Sequence, residues 1–141
     1  MLPRQWHGVW RGTLHIRPPL KNYPAQIPTE LRITAEGGFA IVYDGQERPY
    51  TIAPVANEQG RFLLDEHNGI TMEGFLDEST LYFTFTVDDT LLTTRYTLSG
   101  KTLTYEVRTY KSAGVTQPTG GTNKVTSWRH ASVQTAILKK L

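Results

Sequence analysis

The chain has no cysteine, which excludes disulfide staples and thiolate nucleophiles and fits a reducing compartment. It has no long apolar run, so no membrane-spanning segment is predicted. Neither sign of charge dominates: 15 lysines and arginines face 13 aspartates and glutamates, a net charge of +2. A balance that small, with basic residues scattered apart from Lys139-Lys140, leaves no electrostatic footprint for nucleic acid. The opening Met1-Leu2-Pro3-Arg4-Gln5 lacks the charged, apolar and cleavage regions of a secretory signal. A cytoplasmic location is the expectation. Also missing is any convincing helical pattern of ten or more residues between the turn signals.

What remains is a chain of short alternating segments. From Gln5 to Arg17 the residues sort by parity, with Trp6, Gly8, Trp10, Gly12, Leu14 and Ile16 on one face and His7, Val9, Arg11, Thr13, His15 and Arg17 on the other. Period-two sorting marks a half-buried strand. Leu81, Phe83, Phe85 and Val87 alternate with Tyr82, Thr84 and Thr86. Leu103, Tyr105 and Val107 alternate with Thr104, Glu106 and Arg108, and Leu92, Thr94, Tyr96 and Leu98 form a similar stripe. Phe39 to Tyr43, Tyr50 to Val55 and Phe62 to Asp65 are shorter and less decisive. Glu36-Gly37-Gly38, Asp44-Gly45, Glu58-Gln59-Gly60, Asn68-Gly69, Asp77-Glu78-Ser79, Asp88-Asp89-Thr90 and Ser99-Gly100 read as loop tips, because these residues tolerate the backbone angles turns require.

Successive hairpins without a long crossover predict one all-β domain over residues 1–141, an antiparallel up-and-down barrel of about 8–10 strands. Two stretches lack the pattern and are predicted as loops at a barrel mouth: Pro18 to Pro24, whose prolines cannot donate to a ladder, and Ser112 to Thr126, rich in Gly, Thr and Ser. The tail from Arg129 to Leu141 reads as a closing strand, with a terminal helix as the alternative.

Gly8-Val9-Trp10-Arg11-Gly12 resembles the opening strand of the calycins, the superfamily of lipocalins, fatty-acid-binding proteins and avidins. The resemblance implies that Gly8 and Trp10 close one barrel end under an arginine from a late strand. Arg129 is the best positional match, with Arg108 second. The same string, with the later Tyr23-Pro24, is similar to the nitrobindin branch, a ten-stranded haem barrel. That likeness makes haem a candidate cofactor, held there by a final-strand histidine a few residues before a basic terminus. Here that alignment puts Thr135 at the ligand position and His130 further upstream.

Met72, Phe83, Phe85, Thr94, Tyr96 and Tyr105 come from different strands and are the candidate pocket wall. A filled core is the competing reading, since about eight strands enclose only enough room for side chains whereas a wider barrel holds a ligand. Tyr96, Tyr105 and His130 are the candidates for acid or base catalysis. The four histidines suggest no metal site: His7 and His15 lie roughly 26 Å apart along an extended strand, and His67 sits beside the Asn68-Gly69 turn. His130 reads as an inward residue near the end of the barrel. Asp65-Glu66, Asp77-Glu78 and Asp88-Asp89 fall at turns, where a solvated carboxylate is the default.

The residues favour a carrier or sensor, monomeric or homodimeric, whose partner is a small hydrophobic molecule such as a fatty acid, tetrapyrrole or isoprenoid. The alternatives are a barrel enzyme, such as an isomerase, cyclase or chromophore lyase acting on an apolar substrate, and an interaction or inhibitor domain using the Ser112 to Thr126 loop. Fold class does not choose among them.

Overall fold

Turn chemistry fixes where each strand stops. Asp44 and Gly45 hold φ of 49° and 80°, and the strands on either side pair Tyr43 with Gln46. Two positive φ angles in a two-residue loop match the right-handed twist of a hairpin, and an aspartate-glycine pair adopts them at little cost. The computed structural model describes residues 1–141. A single 3-10 turn, Arg4–Trp6, precedes ten strands: β1 Gly8–Arg17, β2 Gln26–Ile33, β3 Gly38–Tyr43, β4 Gln46–Pro54, β5 Arg61–Asp65, β6 Thr71–Asp77, β7 Thr80–Val87, β8 Thr90–Ser99, β9 Thr102–Thr116 and β10 Val125–Lys140.

Each strand pairs antiparallel with the next, and β10 returns to β1 with Trp10 opposite Lys140 and Arg17 opposite Val133. The sheet is therefore closed and up-and-down, the architecture expected from the hairpin rhythm. No helix is long and apolar enough to cross a membrane.

Alternation decides what faces inward. On β7 Leu81 and Phe83 are buried while Tyr82 and Thr84 are exposed; on β8 Thr94, Tyr96 and Leu98 are buried, and on β9 Leu103, Tyr105 and Val107. The largest fully buried side chains include Trp6, Trp10, Phe39, Leu31, Ile52, Leu81, Leu103 and Leu138. They come from the start of β1, β3, β7 and β9 and the end of β2, β4 and β10. In an up-and-down sheet those positions share one barrel end. That end is packed solid, and the 3-10 turn lays Trp6 across it.

Outside, two carboxylates are each gripped by two arginines. Glu30 accepts from Arg11 Nη2 at 2.9 Å and Arg32 Nε at 2.5 Å, and Glu106 accepts from Arg95 Nη2 at 2.9 Å and Arg108 Nε at 2.5 Å. Burial alone would raise the Glu30 carboxyl, but the two guanidiniums more than offset it and hold it below the ordinary range. Arg108, with Arg95, does the same to Glu106 against its partial burial.

Ser112 to Thr126 is not the loop expected. β9 continues to Thr116 and β10 begins at Val125, paired Val125 with Thr116 and Thr126 with Val115. Beyond the β8 partner Lys111 and the β1 partner Val133, these strands have only each other, and Ser112–Thr116 with Val125–His130 are exposed throughout. A ribbon wet on both faces has no reason to alternate, so period two carries no signal there.

β10 does close the barrel, with Ala136 and Leu138 buried and Ile137 61% exposed.

Candidate functional site

Opposite the packed end the barrel opens into a cavity of about 660 Å³, lined by 24 residues of which 16 are hydrophobic. The volume lies within the ordinary range for small-molecule sites, roughly 300–1,000 Å³. Apolar walls come from Leu14 and Ile16 of β1, Ile27 of β2, Ile41 of β3, Leu64 of β5, Phe83 and Phe85 of β7 and Val107 of β9. Leu20, Tyr23 and Pro24 of the β1–β2 loop stand at its entrance, where the prolines of that segment keep it out of the ladder.

All six residues expected to form the wall, Met72, Phe83, Phe85, Thr94, Tyr96 and Tyr105, line this cavity. Their parity and their position on four successive strands bring them together. Phe83 meets Tyr96 edge to face with centroids 6.3 Å apart, and Tyr96 stacks on Tyr105 at 4.7 Å with 7° between the ring planes.

Further polar residues line it that the sequence analysis does not single out, and three of them cluster. Tyr43 places its hydroxyl 2.5 Å from that of Tyr105, Arg48 lies 5.8 Å from the Tyr43 ring centroid, and Tyr50 completes the group. The signal was present: Tyr43 shares parity with the buried Phe39 and Ile41, and Arg48 and Tyr50 share it with the buried Ile52. These strands are short, and β4 opens with Gln46, Glu47 and Arg48, so the polar start masked the alternation. Burial is the largest cause that holds the Tyr43, Tyr96 and Tyr105 phenols well above 10.0.

The end closure differs from the expectation. Arg129 is exposed and pairs with Lys111 on the free ribbon, and Arg108 points outward to Glu106. The cation over Trp10 is Lys140, its Nζ 5.4 Å from the ring centroid. Strand pairing explains it: the end of β10 lies beside the start of β1, whereas Arg129 is at the opposite end of the same strand. Trp10 Nε1 donates to the Trp6 carbonyl at 3.0 Å. Gly8 serves the closure as well, since a Cβ there would meet Lys140 Cε at 2.8 Å.

His130 is also not where the sequence reading put it. It is exposed on the ribbon, against the Tyr110 ring at 4.6 Å. It shares parity with the inward Ser132 and Gln134, but the wall ends before it and a register shift separates His130 from Ser132. Thr135 faces the other side, where its hydroxyl accepts from Arg17. The cavity lining includes no histidine, so haem held by a final-strand imidazole does not fit this site. His7 bonds the Leu2 carbonyl, and His67 bonds Thr51 beside Asp65.

No family model matches the chain, and no curated protein matches it either. Among solved structures it is similar to a DUF3598-family protein of unknown function from Nostoc punctiforme PCC 73102, with a TM-score of 0.63 and 13% identity. The match covers 97% of this chain and 48% of that one, so the chain spans about half of its structural neighbour. That likeness supports the barrel fold.

Proposed function

We propose that this protein is a non-covalent carrier or sensor of a small, mostly apolar molecule, and that its barrel is of the calycin kind. One observation carries the reading: a cavity of about 660 Å³, open at one end and walled by aromatic and aliphatic side chains, in a barrel whose other end is filled. A core needing only to be stable would close both ends, because an apolar void forfeits contacts along its whole lining. Ligand burial against Met72, Phe83, Phe85, Tyr96 and Tyr105 would recover them, and the tyrosine hydroxyls would orient the bound molecule.

An enzyme on the same barrel is the weaker reading. General acid-base work near neutral pH needs a group that titrates there, and the cavity phenols are pushed away from that range. His130, the other catalytic candidate, stands outside the cavity.

Native mass spectrometry of the purified chain, paired with organic-solvent extraction, tests the proposal. A mass increment that disappears on extraction, or saturable uptake of an apolar fluorophore at one site per chain, is the expected result. An empty spectrum together with no uptake overturns it. The same spectrum distinguishes monomer from homodimer.

A further inference from the structure

The polar groups of the cavity are arranged for a ligand without charge. Only Asp44 and Arg48 among the lining residues are ionised, one of each sign, and both are exposed at the mouth. A carboxylate drawn inside would find no net cation to repay its lost hydration. The Tyr43 and Tyr105 hydroxyls, in contrast, converge to 2.5 Å. Each phenol owns one hydrogen. In a mutual pair one hydrogen lies between the two oxygens and the second is left to point elsewhere, so the pair has a donor to spare. Burial keeps both protons in place across the neutral range.

We propose that the Tyr43–Tyr105 pair receives the carbonyl oxygen of a flat, conjugated, uncharged ligand: a ketone, aldehyde or quinone. A carbonyl oxygen has two lone pairs and no hydrogen. The hydrogen that the pair has to spare donates to one such oxygen, while the other stays between the two phenol oxygens 2.5 Å apart. The body of the ligand then lies along Phe83, Phe85 and the Tyr96 ring, where offset or edge contacts between π-systems favour a flat partner. This inference rests on the cavity being a ligand site, and it adds the chemical class of the ligand.

The full chain is titrated with three fluorophores: prodan, a neutral naphthyl ketone; dimethylaminonaphthalene, which lacks the acyl group; and anilinonaphthalene sulfonate, an anion. Prodan is expected to bind about tenfold more tightly than the carbonyl-free compound, the size of about one net hydrogen bond. In the Tyr43→Phe/Tyr105→Phe variant that advantage disappears, the carbonyl-free compound binds as before, and the emission of bound prodan moves to the blue as its oxygen loses its donor. Carbonyl-labelled prodan on the unaltered protein gives a reading that needs no variant: hydrogen bonding moves the carbonyl carbon resonance downfield of its position in alkane solvent.

Equal affinity for the two neutral compounds, or an alkane-like carbonyl resonance, overturns the carbonyl assignment and leaves the cavity reading intact. Tighter binding of the sulfonate, lost in Arg48→Gln, also overturns it and places an anion at the mouth. Failure of all three compounds to bind overturns the cavity reading itself.

Discussion

The Lys140 ammonium lies over the ring of Trp10, 5.4 Å from its centroid, and crosses the strand at Gly8, where any Cβ would stand in its path. First and last strands are thus joined by a side-chain contact as well as by the ladder between Trp10 and Lys140. Trp10 is fully buried, and its indole N–H is spent on the Trp6 carbonyl. Trp10→Ala removes the plug and leaves that carbonyl without a partner, so it should destabilise the barrel by about 3–5 kcal/mol. Lys140→Ala removes only the cation–π contact and some packing, worth about 0.5–1 kcal/mol. Urea unfolding of both variants checks the ratio; a Trp10→Ala change no larger than that of Lys140→Ala would count against the plug.

Acid should weaken the outer wall before it reaches the core. Glu30 and Glu106 both have carboxyls held below the ordinary 4.5. A carboxyl lowered in the folded state contributes stability that is fully present above its unfolded value and is lost as pH falls through the folded one. Stability should therefore be flat near neutrality and decline below about pH 4.5 on this account. Glu30→Gln and Glu106→Gln should each cost about 1 kcal/mol at pH 7, because the guanidiniums around them are largely solvated. The double variant should show a shallower acid decline than the parent. Thermal melts from pH 7 to about pH 3 measure both effects, and an unchanged acid slope would show that the two ion-pair groups do not govern it.

The barrel was legible in the sequence wherever a strand has one wet face and one dry face. β1, β7, β8 and the first half of β9 meet that condition, and their parity named Trp10, Phe83, Tyr96 and Tyr105 as inward without reference to any partner. Legibility fails where the condition fails. Thr116 and Val125 are paired strand residues exposed in a free ribbon, and composition there resembles a linker. The polar half of the cavity was missed for a related reason. Arg48 faces inward at an open mouth, where a charged residue remains in water, so its side-chain type says nothing about which face it occupies. The closing cation was misplaced because sequence position alone does not say which end of a long strand meets β1; the register does.

The β9–β10 ribbon should be the first part of the molecule to open. From Ser112 to Arg129 its strands bond only to each other and carry no buried side chain, and a lone two-stranded hairpin is marginal in water. Amide exchange should be fast over this segment and slow over Leu103–Val107 and Ala136–Leu138, which lie in the closed wall. Limited proteolysis should cut first near Lys111, Lys124 or Arg129 while leaving the barrel folded. Protection of the ribbon equal to that of the wall would mean that something covers it in solution, and the oligomeric state would then be the next measurement.

Thr94 is the position that separates an open pocket from a filled core. Its side chain lines the cavity and is 8% exposed, between Phe83 and Val107 on neighbouring strands. A phenyl ring placed there has empty space ahead of it if the cavity is a working site. Thr94→Phe should then lower affinity for an apolar fluorophore by at least about tenfold, while costing less than the 1–3 kcal/mol typical of overpacking a full core. Tyr82, exposed on β7 beside Arg95, should tolerate Ala with binding unchanged. Paired titration and unfolding curves distinguish the outcomes. Loss of folding in Thr94→Phe would identify the interior as already full, and equal loss of binding in both variants would show that the two faces of the wall do not divide pocket from exterior.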